Sequence, residues 1–230
     1  MGQYGRNQVA IGTAISLLVL AIFIALQESN PESLHRMAQE DEPIETSTAI
    51  LYGLSSICFL VFACRSDFLK ERSRLCYFMT IGWALLMFIF MGEEISWGQR
   101  IFDIATPDAL REINRQHEIN IHNMQFMYTF LGGKHRLLII MILTTGLLLP
   151  VIALSEFGKR AIQRFAFPVS PLCYAPLFVG AYVYPRYYYP IMGNDAVEVR
   201  EFMMSVGMFS FSVTGAIYPC TLFRVCMSKA

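Results

Sequence analysis

Residues Val9–Leu26 read VAIGTAISLLVLAIFIAL and contain no ionisable side chain. As an α-helix this stretch is about 27 Å long at 1.5 Å per residue, which nearly matches a hydrocarbon core of about 30 Å. It is longer than the apolar core of a typical signal peptide, and no small-x-small cleavage pattern follows it. We therefore interpret it as a retained membrane-spanning helix.

Five further apolar segments of similar length follow along the chain. The sequence predicts six spans, at 8–26, 46–64, 75–92, 137–154, 168–184 and 202–222. Hydrophobic residues make up 55% of the chain and charged residues 16%, against about 25% charged residues in ordinary soluble domains. The predicted fold class is all-α, a polytopic transmembrane helix bundle in which residues 1–230 form one domain.

Charged residues fall unevenly on the two sides of this predicted bundle. With a cytoplasmic N-terminus, the inner segments hold ten Lys/Arg and three acids, and the outer segments hold the other fifteen acids and all four histidines. Such a positive-inside bias sets the orientation of a membrane protein. We predict an integral protein of a bacterial inner membrane, with cytoplasmic N- and C-termini and its chemistry at the outer face.

The longest outer connection, 93–136, is predicted to contain a helix of its own. Thr-Pro-Asp at 106–108 is a start signal, with a capping hydroxyl, proline at the first helical position and an acid near the positive end of the helix dipole. Gly-Gly at 132–133 is the corresponding stop. The sequence thus predicts an interfacial or re-entrant helix at about 107–131. One face of this helix would carry Asn114, Glu118, His122 and Gln125.

Carboxylates cluster where three predicted spans reach the outer surface. Hydroxyl-bearing residues continue the face of the second span below Glu45, and Ser205 and Ser212 continue the face of the sixth below Glu198. Polar stripes inside spans face the bundle interior, because lipid offers them no partner. These stripes predict a shared outer cavity that the 107–131 helix closes. Its predicted members are Glu45, Glu94, Glu118, His122 and Glu198.

This residue set predicts a metal site and an enzyme. Glutamate and histidine four residues apart on a helix can bind one ion, and mixed oxygen and nitrogen ligands suit Zn, Mn or Fe. A bound ion, or a carboxylate acting directly, activates water for hydrolysis. Our hypothesis is a membrane-embedded hydrolase acting on a lipid or membrane-borne substrate. The catalytic candidates are Glu94, Glu118 and His122. The five predicted metal ligands are the cavity members given above, and the supporting residues are Glu93, Arg100, Asn114, Gln125 and Asp195.

Other interpretations of the same residues stay open. Arg100, Arg111 and Arg115 lie close enough in sequence to neutralise Glu93, Glu94 and Glu118 in an ion-pair lattice without metal. Several acids are interpreted as solvated charges: Glu28, Glu32, Glu40, Asp103 and Glu201. Two histidines, His35 and His135, are interpreted as surface residues, and His117 as a packing or hydrogen-bonding residue.

Two other classes of function compete with an enzyme. The outer acids would also form an attractive vestibule for a small cation or amine transporter or channel. A non-catalytic membrane subunit or assembly factor would use the outer loops for docking. Nucleic-acid binding has no support, because the inner basic residues fit membrane anchoring.

The segment GEEISWGQRIF at 92–102, followed by NRQHEINIHN at 114–123, resembles polytopic bacterial membrane proteins that have no assigned reaction. It is also similar, more distantly, to intramembrane proteases of the CAAX-protease type, which place paired glutamates before an arginine and use later His and Asn residues. Here Arg100 lies two residues farther from the glutamates than in that family, and the Phe-x-x-x-His and His-x-x-x-Asn spacings are absent. The resemblance implies carboxylate and histidine chemistry within a membrane.

Overall fold

The computed structural model describes residues 3–39, 42–65, 74–131 and 134–217. Within these ranges the chain is all-α, and its only β-type pairing is an isolated bridge between Asn114 and Met124. The predicted fold class is confirmed at this level. The helices are α1 (Gln3–Ser29), α2 (Pro31–Met37), α3 (Pro43–Arg65), α4 (Arg74–Glu94), α5 (Asp108–Arg111), α6 (Gln125–Leu131), α7 (Lys134–Leu143), α8 (Leu149–Ile152), α9 (Glu156–Phe165), α10 (Ala175–Met192) and α11 (Asp195–Ile217).

In the described part of the chain, three helices are long and apolar enough to cross a membrane. They are Asn7–Ser29, Pro43–Arg65 and Arg74–Glu94, with mean hydropathies of 2.8, 1.9 and 2.0. Their outward faces are apolar as well, as at Ile50 and Ile57 of α3, which are both 56% exposed. A surface helix of a soluble protein carries polar residues on that face, so these three helices are suited to hydrocarbon surroundings.

The other three predicted spans correspond to helices with different boundaries or interruptions. A π-helical turn at Thr144–Leu148 separates α7 from α8. Pro168 and Pro171 keep the start of the fifth predicted segment out of the α conformation, so α10 begins only at Ala175. Helix α11 begins seven residues before the predicted span at 202, and its first two turns are charged. The predicted outer connection at 185–201 is therefore mostly helical. Parts of two predicted inner segments, at 66–73 and 218–230, lie outside the described residues.

The bundle is built around α3 and α11. Helix α3 packs between α4 and α11, while α11 also packs against α10, which α1 and α7 flank. Phe59, Trp83 and Phe211 join the three central helices through ring contacts of 5.5 Å between Phe59 and Phe211 and 6.1 Å between Trp83 and Phe211. The predicted inward polar stripes are confirmed, since Ser205 and Ser212 are fully buried. Their hydroxyls donate to carbonyls of their own helix at 2.8 Å.

The predicted helix at 107–131 is wrong. The single turn α5 and the seven-residue α6 are joined by a loop that folds back on itself, with a backbone hydrogen bond of 3.0 Å from Arg115 N to Asn123 O. The hydroxyl of Thr106 does not cap a helix but donates to His117 O at 2.6 Å. Side chains such as Asn114 bond the loop backbone, which stabilises turns in competition with a helix. The predicted stop at 132–133 lies outside the described residues.

Candidate functional site

The chain leaves α4 through a sharply reversed segment. Ser96, Trp97 and Gly98 have φ values of 45°, 55° and 81° in succession, and the left-handed region costs an ordinary residue about 1–2 kcal/mol. This reversal lays the Trp97 ring against Gly92, where an added Cβ would lie 2.8 Å from the ring. The indole N–H of Trp97 then donates to Glu93 Oε1 at 2.7 Å. The local sequence thus places an indole on the first of the paired glutamates.

Glu93 ties the end of α4 to the loop of residues 95–124, which we call the cavity loop. Its Oε2 accepts hydrogen bonds of 2.8 Å from the backbone N–H groups of Ile121 and His122. The same oxygen lies 3.1 Å from His122 Nδ1. Glu93 is only 8% exposed, so these donors replace its lost hydration.

This contact decides which nitrogen of His122 is available for chemistry. A carboxylate beside Nδ1 favours the tautomer with the proton on Nδ1, which leaves the lone pair on Nε2. The proton is assigned to Nδ1 because the carboxylate beside it accepts hydrogen bonds and donates none. The sequence paired His122 with Glu118 on one helix face, whereas the structure pairs it with Glu93.

Glu118 and Arg100 belong to a second polar network. Glu118 Oε2 accepts hydrogen bonds from the Ser96 hydroxyl at 2.5 Å and from Asn120 Nδ2 at 2.7 Å, and its Oε1 lies 3.9 Å from Arg100 Nε. Arg100 Nη2 donates to Glu45 Oε1 and to the Glu94 carbonyl, both at 2.9 Å. Arg100 therefore lies beside Glu118, as the ion-pair interpretation of the sequence expected, and also pairs with Glu45, which that interpretation did not include.

The other two arginines of the predicted lattice make different contacts, although Arg115 also lines the cavity described below. Arg111 Nη1 is 3.8 Å from Asp108 Oδ1 at the exposed start of α5. The Arg115 guanidinium lies 4.2 Å from the centre of the Tyr128 ring. Ion pairing within the site thus involves Arg100, and the lattice with three arginines is not formed as predicted.

Two predicted supporting residues do not line the site. Asn114 is 2% exposed and donates from Nδ2 to both oxygens of Asn120, at 2.7 Å to the carbonyl and 2.9 Å to Oδ1. It therefore shapes the cavity loop from inside. Gln125 is exposed at the start of α6. Both were predicted to line the site because they would share one face of a helix at 107–131, which the structure replaces with a loop between α5 and α6.

The cavity loop closes a chamber of about 770 Å³ over the first turns of α3 and α11 and the end of α4, which we call the acidic cavity. All five residues predicted to converge line it, and Glu93, Arg100 and Asp195 line it as well. Its lining carries six carboxylates and two arginine side chains, a formal charge of −4 with His122 neutral. A cation or a cationic group would be attracted into this chamber.

Three carboxylates, Glu94, Glu198 and Glu201, form what we call the glutamate triad. Of these, Glu94 and Glu198 line the acidic cavity. One oxygen of each lies within 4.8 Å of the others. Glu201 is 1% exposed, so its interpretation as a solvated loop charge was wrong. A signal was present in the sequence: Glu201 precedes Ser205 by four residues and Ser212 by eleven, which places it on the buried polar stripe. Arg200 Nη2 lies 3.5 Å from Glu201 Oε1.

His35 makes a contact that the sequence did not suggest. Its Nδ1 lies 2.5 Å from Asp195 Oδ2, which ties α2 to the first residue of α11 at the rim of the acidic cavity. His117 fits its prediction as a hydrogen-bonding residue, because its Nδ1 lies 2.8 Å from the Arg111 carbonyl oxygen.

A smaller and mostly apolar cavity of about 170 Å³ adjoins the acidic cavity. The two share Glu93, Glu94 and His122 in their linings. The Glu93–His122 pair and one member of the glutamate triad therefore stand between a polar and an apolar compartment.

No protein-family profile, curated protein or solved structure matches this chain.

Proposed function

We propose that this protein is a membrane-embedded, divalent-cation-dependent hydrolase that acts on a membrane-borne substrate. One observation carries the proposal: the Glu93–His122 pair lines both the acidic and the apolar cavity, and Glu94 of the glutamate triad lines both with it. A base, a cation site and a place for an amphipathic molecule would then be adjacent.

The spacing of the glutamate triad supports a cation site. An ion centred among three oxygens that lie within 4.8 Å of one another is at most about 2.8 Å from each of them, close to the upper end of normal Ca²⁺–oxygen distances. Without an ion, two carboxylates at that separation repel by roughly 3 kcal/mol at an effective dielectric constant near 20. Arg200 offsets one of the three charges. An all-oxygen site favours Mg²⁺, Ca²⁺ or Mn²⁺ over the Zn and Fe that the predicted mixed ligand set suggested.

His122 is the proposed general base. Its Nε2 accepts a proton from water as the water oxygen attacks the scissile acyl or phosphoryl centre, and it then returns that proton to the leaving group. Glu93 holds the ring by Nδ1 and stabilises the imidazolium formed between these two steps. A cation held by the triad would polarise the substrate oxygen that gains negative charge.

The proposal includes the predicted six-span topology, with both termini in the cytoplasm. Helices α7–α8, α10 and α11 overlap the segments predicted as the fourth, fifth and sixth spans, and the charge bias supports the orientation. The charged first turns of α11 are compatible with this topology, because they line the bundle interior rather than its surface. The acidic cavity would then lie at the outer face of a bacterial inner membrane.

Hydrolysis by the purified protein in lipid nanodiscs tests the proposal. We expect products released from a mixed bacterial lipid extract, detected by mass spectrometry, to disappear on chelation and in the His122→Gln and Glu201→Gln variants. The matched control is His117→Asn. His117 is an exposed residue of the cavity loop that does not line the cavity, and asparagine tolerates its positive φ. Full turnover by His122→Gln would rule out the proposed base.

A small cation or amine transporter is the second candidate, since the acidic cavity would attract its cargo. A transporter needs a polar route across the membrane. Deeper along α11, the buried Ser205 and Ser212 hydroxyls donate to carbonyls of their own helix, so they give such a route little support. Ion flux in proteoliposomes would favour the transporter, and obligate co-purification with another membrane protein would favour the non-catalytic subunit.

A further inference from the structure

The apolar cavity is enclosed by side chains from four helices. Tyr52 of α3, Phe90 of α4, Met127 of α6 and Leu138 of α7 form its walls. Glu93, Glu94, His122 and Glu201 lie at its polar end. A molecule filling both cavities would thus need an apolar part joined directly to a polar part.

The apolar cavity reaches the hydrophobic flank of the bundle. Three of its lining residues, Ile89, Ile121 and Leu137, are 43%, 47% and 42% exposed. Ile89 belongs to α4, one of the three helices long and apolar enough to span a membrane. An opening bordered by such residues faces acyl chains rather than water, so a substrate can enter it from the bilayer.

Tyr52 supplies a second, independent indication of a ligand. Its ring is 1% exposed and packs edge-on against Phe90 at 5.4 Å, while its hydroxyl has no hydrogen-bond partner among the described residues. Buried hydroxyl groups in folded proteins nearly always have a partner, because leaving one unsatisfied is costly. Tyr52 is one of the residues that line the apolar cavity, together with Glu94 and His122, so an oxygen of a molecule bound there would lie near this hydroxyl.

We propose that the substrate is an acyl amphiphile, whose fatty chain occupies the apolar cavity and whose neutral or cationic head occupies the acidic cavity. This inference rests on the proposed hydrolase. The carbonyl then lies where the cavities meet, and its oxygen accepts a hydrogen bond from Tyr52. Water loses a proton to His122 Nε2 and adds to the carbonyl carbon, the bond to the head breaks, and the head leaves with that proton. The products are a fatty acid and an alcohol or amine.

The negative charge of the acidic cavity determines which head group the substrate carries. The six carboxylates of the acidic cavity repel an anionic head and accept a hydroxylated or aminated one. Tyr52 is a positioning residue in this scheme, because its hydroxyl holds the substrate while His122 moves the proton.

The experiment uses a monoacylglycerol that carries a diazirine on its acyl chain near the ester. The full-length His122→Gln variant in nanodiscs prevents turnover, and cross-linked peptides are identified by mass spectrometry. We expect labelling at the cavity walls, in peptides containing Tyr52, Phe90 or Leu138. Leu137→Trp, which fills the opening, should reduce this labelling by at least about tenfold. Ile140→Trp is the matched control, since it lies on the same helix, is 61% exposed and does not line the cavity.

A second readout tests the hydroxyl. Tyr52→Phe should weaken competition by unlabelled monoacylglycerol about fivefold, as expected for one hydrogen bond, without lowering the stability of the ligand-free protein. Labelling spread evenly over the lipid-facing sides of the bundle, or equally reduced by Leu137→Trp and Ile140→Trp, would overturn the chain site. Specific labelling with no hydrolysis by the wild type would instead reject the hydrolase. Hydrolysis of other lipids without such labelling would reject only the acyl-chain assignment.

Discussion

Replacing Glu93 with glutamine tests how the cavity loop is held. The carboxylate accepts hydrogen bonds on both sides, from the Trp97 indole through Oε1 and from the backbone N–H groups of Ile121 and His122 through Oε2. A glutamine has only one acceptor oxygen. If that oxygen faces the loop, its amide N–H₂ meets the indole N–H donor to donor. If it faces the indole, both backbone donors lose their acceptor.

The glutamine adopts the orientation with the smaller loss, and that loss sets the expected decrease in the stability of the closed cavity loop. One unsatisfied buried donor costs about 1–3 kcal/mol, and the remaining bonds lose roughly another 1 kcal/mol without the charge. The sum, about 2–4 kcal/mol, corresponds to opening of the loop that is about 30 to 700 times more frequent. Hydrogen exchange at the amides of Ile121 and His122, measured in detergent micelles, should accelerate by that factor.

The neighbouring glutamate provides the matched control for this measurement. Glu94 is the next residue of α4, lies in the glutamate triad and makes no described hydrogen bond to these two amides. Glu94→Gln should leave their exchange within about threefold of the wild type. Exchange that is unchanged in Glu93→Gln would refute the anchoring role of this carboxylate, as would equal acceleration in both variants.

Three further predictions concern the turn, the arginine and the topology. In a thermal unfolding assay, Gly92→Ala should lower the stability by about 1–3 kcal/mol, because the added methyl group meets the Trp97 ring. The control Gly82→Ala should not destabilise the protein, because nothing lies within 4 Å of the added methyl group. Arg100→Gln should lower stability by about 2–3 kcal/mol, since it leaves partly buried carboxylates without their cation, and an unchanged melting temperature would contradict this. Asp108→Cys should react with a membrane-impermeant thiol reagent added outside intact cells, because the Asp108 side chain is 96% exposed; labelling only after permeabilisation would reverse the orientation.

Length and apolarity identified α1, α3 and α4 from sequence, because a membrane span needs little more than these two properties. The same reasoning shifted α10, where prolines at 168 and 171 delay the helix. The predicted span at 202–222 also left out the charged first turns of α11, because hydropathy alone does not assign charged residues to a span, although the polar face below Glu198 indicated helix there. Local composition does not show which face of a helix is buried.

The candidate site was predictable as a location but not as a set of partners. Periodic polar stripes pointed Glu45 and Glu198 toward one cavity, and the structure places both there. The pairing of Glu93 with His122 joins residues 29 positions apart through a loop without helical periodicity, so no spacing rule encodes it. The helix at 107–131 failed for a related reason: its start signal was local, whereas the loop is held by long-range side-chain hydrogen bonds such as that from Ile119 N to Gln99 Oε1.

Binding of Mn²⁺ by the purified, chelator-treated protein tests the central claim most directly. The loss of the free-ion electron paramagnetic resonance signal on titration should show one saturable site per chain. Glu201→Gln should weaken that site by at least about tenfold, because it removes a buried triad ligand. Glu32→Gln, on an exposed acid of α2, should leave it unchanged. The absence of saturable binding, or equal affinity in the wild type and Glu201→Gln, would contradict a cation held by the glutamate triad.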